Sequence, residues 1–298
     1  MKLIRFGEPG HEKPGIQLDS GARKDVSSLV REYDAAFFAE GGCERLKEQV
    51  AARGFQQLPE VNGSARTGAP IPRPGKIVSI GLNYRDHAAE SAQAVPSEPI
   101  VFLKAITSFS GPNDPLIIPR GSTRTDYEIE LGVVIGRTAR TLSAPAEALR
   151  HIAGYCVVND VSERAFQFEP GGQWDKGKGC DTFCPTGPWL VTPDEVGDPS
   201  HLKLLLRVNG RKRQSASTAD MLFSPAYVVH HVSQYMTLEA GDLITTGTPA
   251  GVGMSLKPPQ YLVAGDVVEL EIEKLGRQRQ QCVAWDSAAA AKFHGLAP

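Results

Sequence analysis

The alternation of apolar and polar positions along the chain reads mainly as short strands separated by turns. Runs rich in Val, Ile and Leu occupy Ile77–Gly81, Ile100–Lys104, Leu116–Ile118, Tyr127–Ile135, Ala153–Val161, Gly187–Val191, Leu202–Val208, Asp242–Thr246 and Val267–Ile272. Such runs, bounded by Gly, Pro, Asn or Ser, predict strands. Asn209-Gly210, directly after LKLLLRV, is a two-residue hairpin signal. Helical signals are fewer. Ser224-Pro225 offers an N-cap with proline in the first turn and predicts a helix to about Met236, and short helices are expected after Asn83, Ser143 and Ser162. Residues 1–60 read as a small N-terminal α/β domain, with strands at Lys2–Phe6 and around Gly15–Leu18 and a helical region from Tyr33 to about Arg53 interrupted at Gly41-Gly42. Residues 61–75, VNGSARTGAPIPRPG, lack periodicity and read as a linker. Residues 76–298 form the second domain, mostly β (α+β) with a few helices on its outside and no repeating βαβ pattern.

Composition narrows the function classes without naming one. The 298 residues are 41% hydrophobic and 22% charged, as in ordinary globular proteins, and a formal net charge of −2 gives no reason to expect nucleic acid or an anionic membrane as partner. The run Arg211-Lys212-Arg213 reads as a solvated hairpin. No apolar run approaches a membrane span, and the start MKLIRFGEPGHEKPG has no apolar signal core, so a cytoplasmic protein is expected. Five cysteines, Cys43, Cys156, Cys180, Cys184 and Cys282, are an odd, sparse set that fits reduced thiols. The spacing of Cys180 and Cys184 is not that of a zinc or redox motif, and both read as core or loop thiols.

The chemistry concentrates in TDYEIELGVVIG, Thr125–Gly136. On a strand Glu128 and Glu130 share a face, their Cα atoms roughly 6.5–7 Å apart, and Asp126 begins the same row. Both faces beyond Glu130 are small or apolar, which predicts a strand covered on both sides. Ionised carboxylates there need a positive counterpart, and no Lys or Arg lies within the segment. A divalent metal is one answer; a wet strand end paired with arginines is the other. Asp160 ends the apolar strand of IAGYCVVNDVS, where an Asp also serves as a helix cap. Together the three carboxylates make an oxygen set suited to Mg²⁺ or Mn²⁺, with Ca²⁺ a further candidate, and unsuited to zinc.

Three further segments carry candidate chemistry. In GLNYRDHAAES, His87 and Glu90 fall on one helical face, either as a carboxylate-oriented base for water or as an exposed pair of little consequence. In ERAFQFEPGGQWDKGKGCDTF, Arg164 and Gln167 lie three apart on a short helix, and Lys176 and Lys178 alternate with glycines in a loop that either approaches a ligand or is a flexible surface turn. TTGTPAGVG, Thr245–Gly253, follows a strand and offers backbone amides and Thr hydroxyls to an anion, without the lysine of a nucleotide-binding loop.

From about Lys76 to Glu273 the chain resembles the fumarylacetoacetate hydrolase family. The resemblance is carried by IVSIGLNYRDHAAE, PIVFLKAITSFSGPNDPLIIP, DYEIELGVVIG, GYCVVNDVSERAFQ, KGKGCDTFCPTGPWLV and GDLITTGTPAGVG. The start MKLIRFGEPGHEKPG and the ERAFQ to CDTF stretch are most similar to the bacterial branch acting on 2,4-diketo-3-deoxy-L-fuconate, whose relatives are often labelled ureidoglycolate lyase. Many members carry Asp after the arginine that follows the metal aspartate; here it is Ala165, which fits that sugar-acid branch. The resemblance implies a mixed β-roll with the metal at its mouth, a small N-terminal domain and assembly as a homodimer. It implies metal ligation by Glu128, Glu130 and Asp160, a His87–Glu90 dyad on a lid, Lys178 facing oxyanion charge, Arg164 and Gln167 holding substrate oxygens, and Thr248 at the substrate carboxylate.

The expected reaction is metal-dependent hydrolysis of a carbon–carbon bond in a small 2,4-diketo acid, such as 2,4-diketo-3-deoxy-L-fuconate or an acylpyruvate, to pyruvate and a carboxylic acid. The enzyme class is that of hydrolases acting on carbon–carbon bonds in ketonic substances. A decarboxylase or keto–enol isomerase on the same metal is the alternative, and a non-catalytic metal- or acid-binding protein is the reading from a different class.

Overall fold

The structure is a computed structural model and describes residues 1–169 and 171–295. The chain is mostly sheet. A large mixed sheet runs in the order Arg23–Asp25, Lys13–Gln17, Lys2–Phe6, Cys184–Val191, Ile152–Asn159, Ile129–Ile135, Leu243–Thr245, Ile77–Gly81 and Ile100–Lys104. A second sheet of five strands runs Arg211–Ser217, Lys203–Val208, Val267–Ile272, Gly276–Ala284 and Leu116–Ile118. Both mix directions: Leu243–Thr245 lies parallel to Ile77–Gly81, and Gly276–Ala284 parallel to Leu116–Ile118.

The strand Ile129–Ile135 is buried along its whole length because each face belongs to a different core. Leu131, Val133 and Ile135 pack with Leu204, Leu206, Val268 and Leu270 of the smaller sheet. Val134, on the other face, packs with Cys156, Val158 and Leu190 and with Phe38, Leu46 and Val50 of the N-terminal helices. The expected double cover is therefore present. It leaves Glu128 and Glu130 only the strand's own end through which to reach solvent or a ligand.

Most expected elements stand where the pattern placed them, and the departures have local causes. The helical region after Tyr33 splits into Ala35–Ala39 and Gly42–Arg53, because Gly41 is left-handed (φ 71°) and a Cβ on Gly42 would lie 2.3 Å from the Phe37 ring. Ser224 caps the helix Pro225–Ser233, which stops short of Met236. The strand expected over Tyr127–Ile135 begins at Ile129; before it, Thr125–Asp126 turns aside to pair with Ser162–Glu163. In the gap, side-chain amides replace the ladder: Glu128 N donates to Asn159 Oδ1 at 3.1 Å and Ile129 N to Gln214 Oε1 at 2.9 Å. The strand Gly276–Ala284 had no apolar alternation to find, since two of its inward positions are the buried Gln278 and Gln280.

The N-terminal strands belong to the large sheet: Lys2 pairs with Val191 and Leu3 with Leu190. Segment 61–75 is held too, with Thr67–Gly68 paired to Lys2–Phe6 and Ala69 and Ile71 buried. All five cysteines are free, Cys184 in the core and Cys180 half-buried. Among the described residues no helix is long and apolar enough to cross a membrane.

Gly154, on the central strand Ile152–Asn159, is a sharp test of this packing. A Cβ there would stand 2.5 Å from the carbonyl oxygen of Val191 on the neighbouring strand. Gly154→Ala should destabilise the protein by about 2 kcal/mol in urea unfolding, the cost of forcing a methyl into a filled core.

Candidate active site

The register of two strands brings the acids together. Glu130 lies opposite Val158 and Ile129 opposite Asn159, so one step further along Glu128 faces Asp160. Asp160 N donates to Glu128 O at 2.9 Å, which fixes that last pairing. Opposed residues share a face and sit close enough for their side chains to meet. Glu128, Glu130 and Asp160 accordingly each offer an oxygen within 4.8 Å of the others, although they are only 4%, 1% and 0% exposed.

Cations from elsewhere in the chain answer two of the three. Lys178 Nζ donates to Glu128 Oε2 at 2.7 Å and to Asp160 Oδ2 at 2.9 Å, and Arg164 NH2 donates to Glu128 Oε1 at 2.6 Å. Lys104 Nζ stands 2.7 Å from Asp160 Oδ1, off the line of a hydrogen bond, so that oxygen accepts none. Glu130 is different. Its partner is the backbone N–H of Gly247 at 2.7 Å, and among the described residues no Lys or Arg lies within ion-pair distance of it.

The titration of the acids follows. Burial pushes Glu128 upward, but Lys178 and Arg164 more than offset it and hold the carboxyl at about 2. Burial, Asp160 and Glu128 all push Glu130 well above its ordinary value, against weaker opposition from Lys178 and Gly247. Lys178 is lowered by burial but raised overall by Asp160 and Glu128, so it is an ammonium at neutral pH.

The expected helix after Ser162 is Arg164–Phe168, with Arg164 NH1 donating to Gln167 Oε1 at 3.1 Å. The lysine segment, expected as a glycine-spaced loop, is instead a short helix, Trp174–Lys178. Gly177 is there for contact: a Cβ would lie 2.5 Å from Glu163 O and 2.6 Å from Gln167 Cβ, so only glycine lets the two helices meet and Lys178 reach the acids. Gly81 has a similar task beside Trp174, whose ring would lie 2.8 Å from a Cβ. Pro170, between these helices, lies outside the described residues.

His87 and Glu90 are no exposed pair. They sit on the helix Arg85–Glu90, with His87 7% exposed and its Nδ1 2.8 Å from Glu90 Oε1. The carboxylate partner assigns the proton to Nδ1 and leaves Nε2 as an acceptor. The second oxygen of Glu90 accepts from Gly251 N at 2.9 Å, which docks this helix on the TTGTPAGVG loop. Thr248 of that loop is buried; its hydroxyl donates to Ile129 O at 3.0 Å and accepts from Gln214 Nε2 at 2.8 Å. The side chains of His87, Glu128, Glu130, Asp160, Arg164, Gln167, Lys178 and Thr248 line one cleft, with Glu90 immediately behind His87.

Asp126 and Lys104 went unassigned in the sequence. Asp126 is fully buried and accepts from Arg164 Nε at 3.0 Å, Gly253 N at 2.7 Å and Met254 N at 3.0 Å, joining the arginine to the loop. The signal for Lys104 was a lysine closing an apolar strand, Ile100–Lys104.

Two outcomes follow from this charge arrangement. Asp126→Asn should cost about 3 kcal/mol in urea unfolding, because Arg164 keeps its charge and loses a buried partner. For the metal-free protein, the native state holds the Glu130 proton more tightly than the unfolded chain, so this group lowers stability as pH rises above 4.5. Glu128 has the opposite sign and lowers stability as pH falls from 4.5 toward about 2. In EDTA-treated samples, Glu130→Gln should flatten the alkaline slope of melting temperature against pH and leave the acid slope in place.

Comparison with known proteins gives this arrangement its relatives. The family model for the fumarylacetoacetate hydrolase C-terminal region matches residues 76–283. A 2,4-didehydro-3-deoxy-L-rhamnonate hydrolase from Sphingomonas sp. (strain SKA58) is 52% identical over 288 residues, covering 96% of this chain and 97% of the relative. Among solved structures, a fumarylacetoacetate hydrolase from Exiguobacterium antarcticum superposes with a TM-score of 0.81 at 38% identity over 95% of this chain and 99% of its own. A maleylpyruvate hydrolase from Sphingobium sp. SYK-6, solved with manganese(II) and pyruvate, superposes with a TM-score of 0.78 at 29% identity over 95% and 99%. By sequence and by fold alike, the chain belongs to the fumarylacetoacetate hydrolase family.

Proposed function

We propose that this protein hydrolyses the C3–C4 bond of a 2,4-dioxo acid derived from a sugar acid, with a divalent metal, Mg²⁺ or Mn²⁺, held by Glu128, Glu130 and Asp160. The observation that carries the reading is the uncompensated carboxylate of Glu130 in a convergent set of three acids, beside a histidine oriented by a carboxylate. The donor set fits such an ion: all its oxygens are hard, Asp160 Oδ1 accepts no hydrogen bond although Lys104 Nζ stands 2.7 Å away, and among the described residues no Lys or Arg lies within ion-pair distance of Glu130. The relative from Sphingomonas points to the substrate class. In the acid with keto groups at C2 and C4 and no hydroxyl at C3, only the C5 centre survives, so the L-rhamnonate and L-fuconate derivatives are one compound.

When bound, the metal supplies Lewis acidity toward the oxygens of the dioxo acid and the charge that develops there. The chain's own residues do the rest. Arg164 and Gln167 hold substrate oxygens, and the loop at Thr248 receives the carboxylate. The Thr248 hydroxyl already donates to Ile129 O, so its contribution to an anion is the backbone N–H. His87 Nε2 takes a proton from water, with Glu90 stabilising the imidazolium. The hydroxide adds to C4, the C3–C4 bond breaks, and its electron pair becomes the enolate of pyruvate, which Lys178 faces with a full positive charge. Protonation at C3 gives pyruvate, and the acyl half leaves as a carboxylic acid, lactate for the 6-deoxy sugar acid. Without the water step the same groups serve decarboxylation or keto–enol isomerisation, and His87→Ala separates the two. The protein is proposed to act in the cytoplasm as a homodimer, for which light scattering would return the mass of two chains.

Pyruvate release should be measured across a panel of 2,4-dioxo acids with Mg²⁺ or Mn²⁺. His87→Ala should lower kcat by about a hundredfold or more, the usual weight of a general base. The rise in melting temperature on adding Mn²⁺ should persist in that variant and vanish in Glu130→Gln. Unchanged turnover in His87→Ala would remove the histidine from the mechanism, and no pyruvate from any acid would remove the hydrolase reading.

A further inference from the structure

The cleft has a polar corner that the reaction as written leaves idle. Ser91 and Gln93 line it, in a wall otherwise shared with Phe102, Phe168 and Trp174. Ser91 Oγ is sealed from solvent and has no hydrogen-bond partner among the described residues. Buried hydroxyls are nearly always partnered, so an idle one in a substrate cleft marks a place where a ligand atom belongs.

The backbone builds this corner at some cost. The helix Arg85–Glu90 ends at Ser91, whose N–H donates to His87 O at 3.1 Å. Ala92 then turns left-handed (φ 52°), and Gln93 N donates back to Ala88 O at 2.9 Å. Glycine is the usual residue for this closure, and alanine pays a steric penalty there. The turn folds the chain over so that Gln93 returns to the cleft. Ser91 comes four residues after His87, on the same helical face, with the two Cβ atoms about 5–6 Å apart.

That spacing sets the two side chains against successive parts of one substrate. The acidic triad, Arg164 and Lys178 take the oxo-acid end, His87 faces the C4 carbon where water adds, and Ser91 stands one helical turn beyond. We infer that Ser91 Oγ, with the Gln93 amide beside it, binds a hydroxyl on the carbon next to the 4-keto group. The protein is thereby a reader of 5-hydroxy-2,4-dioxo acids and discriminates against plain acylpyruvates. Serine suits the task because its hydroxyl both donates and accepts, while the aromatic wall takes the alkyl end. The inference rests on the hydrolase reading above and adds to it the residue that selects the substrate.

A matched pair of acids tests it: 5-hydroxy-2,4-dioxohexanoate and 2,4-dioxohexanoate, each assayed with Mn²⁺ for pyruvate release. The wild-type protein should prefer the hydroxylated acid by about tenfold or more in kcat/KM, since a site built for a hydroxyl rejects an analogue lacking it. Ser91→Ala should lower kcat/KM for the hydroxylated acid by about ten- to a hundredfold and leave the other within about twofold. The unhydroxylated acid thus reports on folding and chemistry within the same variant. Ser91→Thr, which keeps the hydroxyl, should retain part of the preference. Equal losses on both acids in Ser91→Ala, or a wild-type protein with no preference, would overturn the assignment while leaving the hydrolase reading intact. Pyruvate from neither acid would overturn the hydrolase reading itself, and the assignment with it.

Discussion

Three carboxylates forced together away from water set the terms for everything around them. Glu128, Glu130 and Asp160 bring three formal negative charges into a space that a few ångströms span. Left alone they would repel and take up protons. The chain answers with Lys178, Arg164 and Lys104, each from a different element, and among the described residues still leaves Glu130 without a cation at ion-pair distance. Asp126 adds a fourth acid to the cluster and occupies part of Arg164's charge. The residual negative charge suits a divalent ion, and under the proposed function the stationed ammonium and guanidinium would suit an anionic substrate as well.

The scaffold is arranged to keep that cluster in register. Two facing strands place the acids, and the interruption before Ile129 is filled by the amides of Asn159 and Gln214, so the backbone there cannot slide without leaving buried groups unpaired. Gln214 also supports Thr248, and Asp126 reaches from Arg164 to the amides of Gly253 and Met254. Glu90 ties the histidine helix to the same loop. Both sides of the cleft therefore converge on one loop, and displacement of that loop would disturb Arg164 and His87 together.

How legible this was in the sequence depended on which interactions are periodic. The strand Ile129–Ile135 and its double cover, the hairpin at Asn209-Gly210 and the Ser224 cap all announce themselves through spacing. The acids were visible as charges out of place in an apolar run. Their cations were not, because Lys104, Arg164 and Lys178 lie 24, 36 and 50 residues from Glu128, and only the fold joins them to the acids. The glycines around Lys178 suggested flexibility, whereas Gly177 is a contact point between two helices. The strand Gly276–Ala284 stayed hidden because buried glutamines filled its inward positions. The orphaned hydroxyl of Ser91 has no signature in sequence at all; it is defined by what does not surround it.

The pairing of Lys2–Phe6 with Cys184–Val191 has a consequence for how this protein survives in solution. The strand Cys184–Val191 is nearly all buried and lies directly beside Ile152–Asn159, the strand that leads into Asp160. Stripped of its N-terminal neighbour, it would become a raw margin of unpaired amides and carbonyls flanked by apolar side chains, the kind of surface to which another chain adds itself. The first strand of the sequence thus seals that margin two strands away from the chemistry, and hands the sheet's edge on to the three-residue strand Arg23–Asp25, too short to invite another chain.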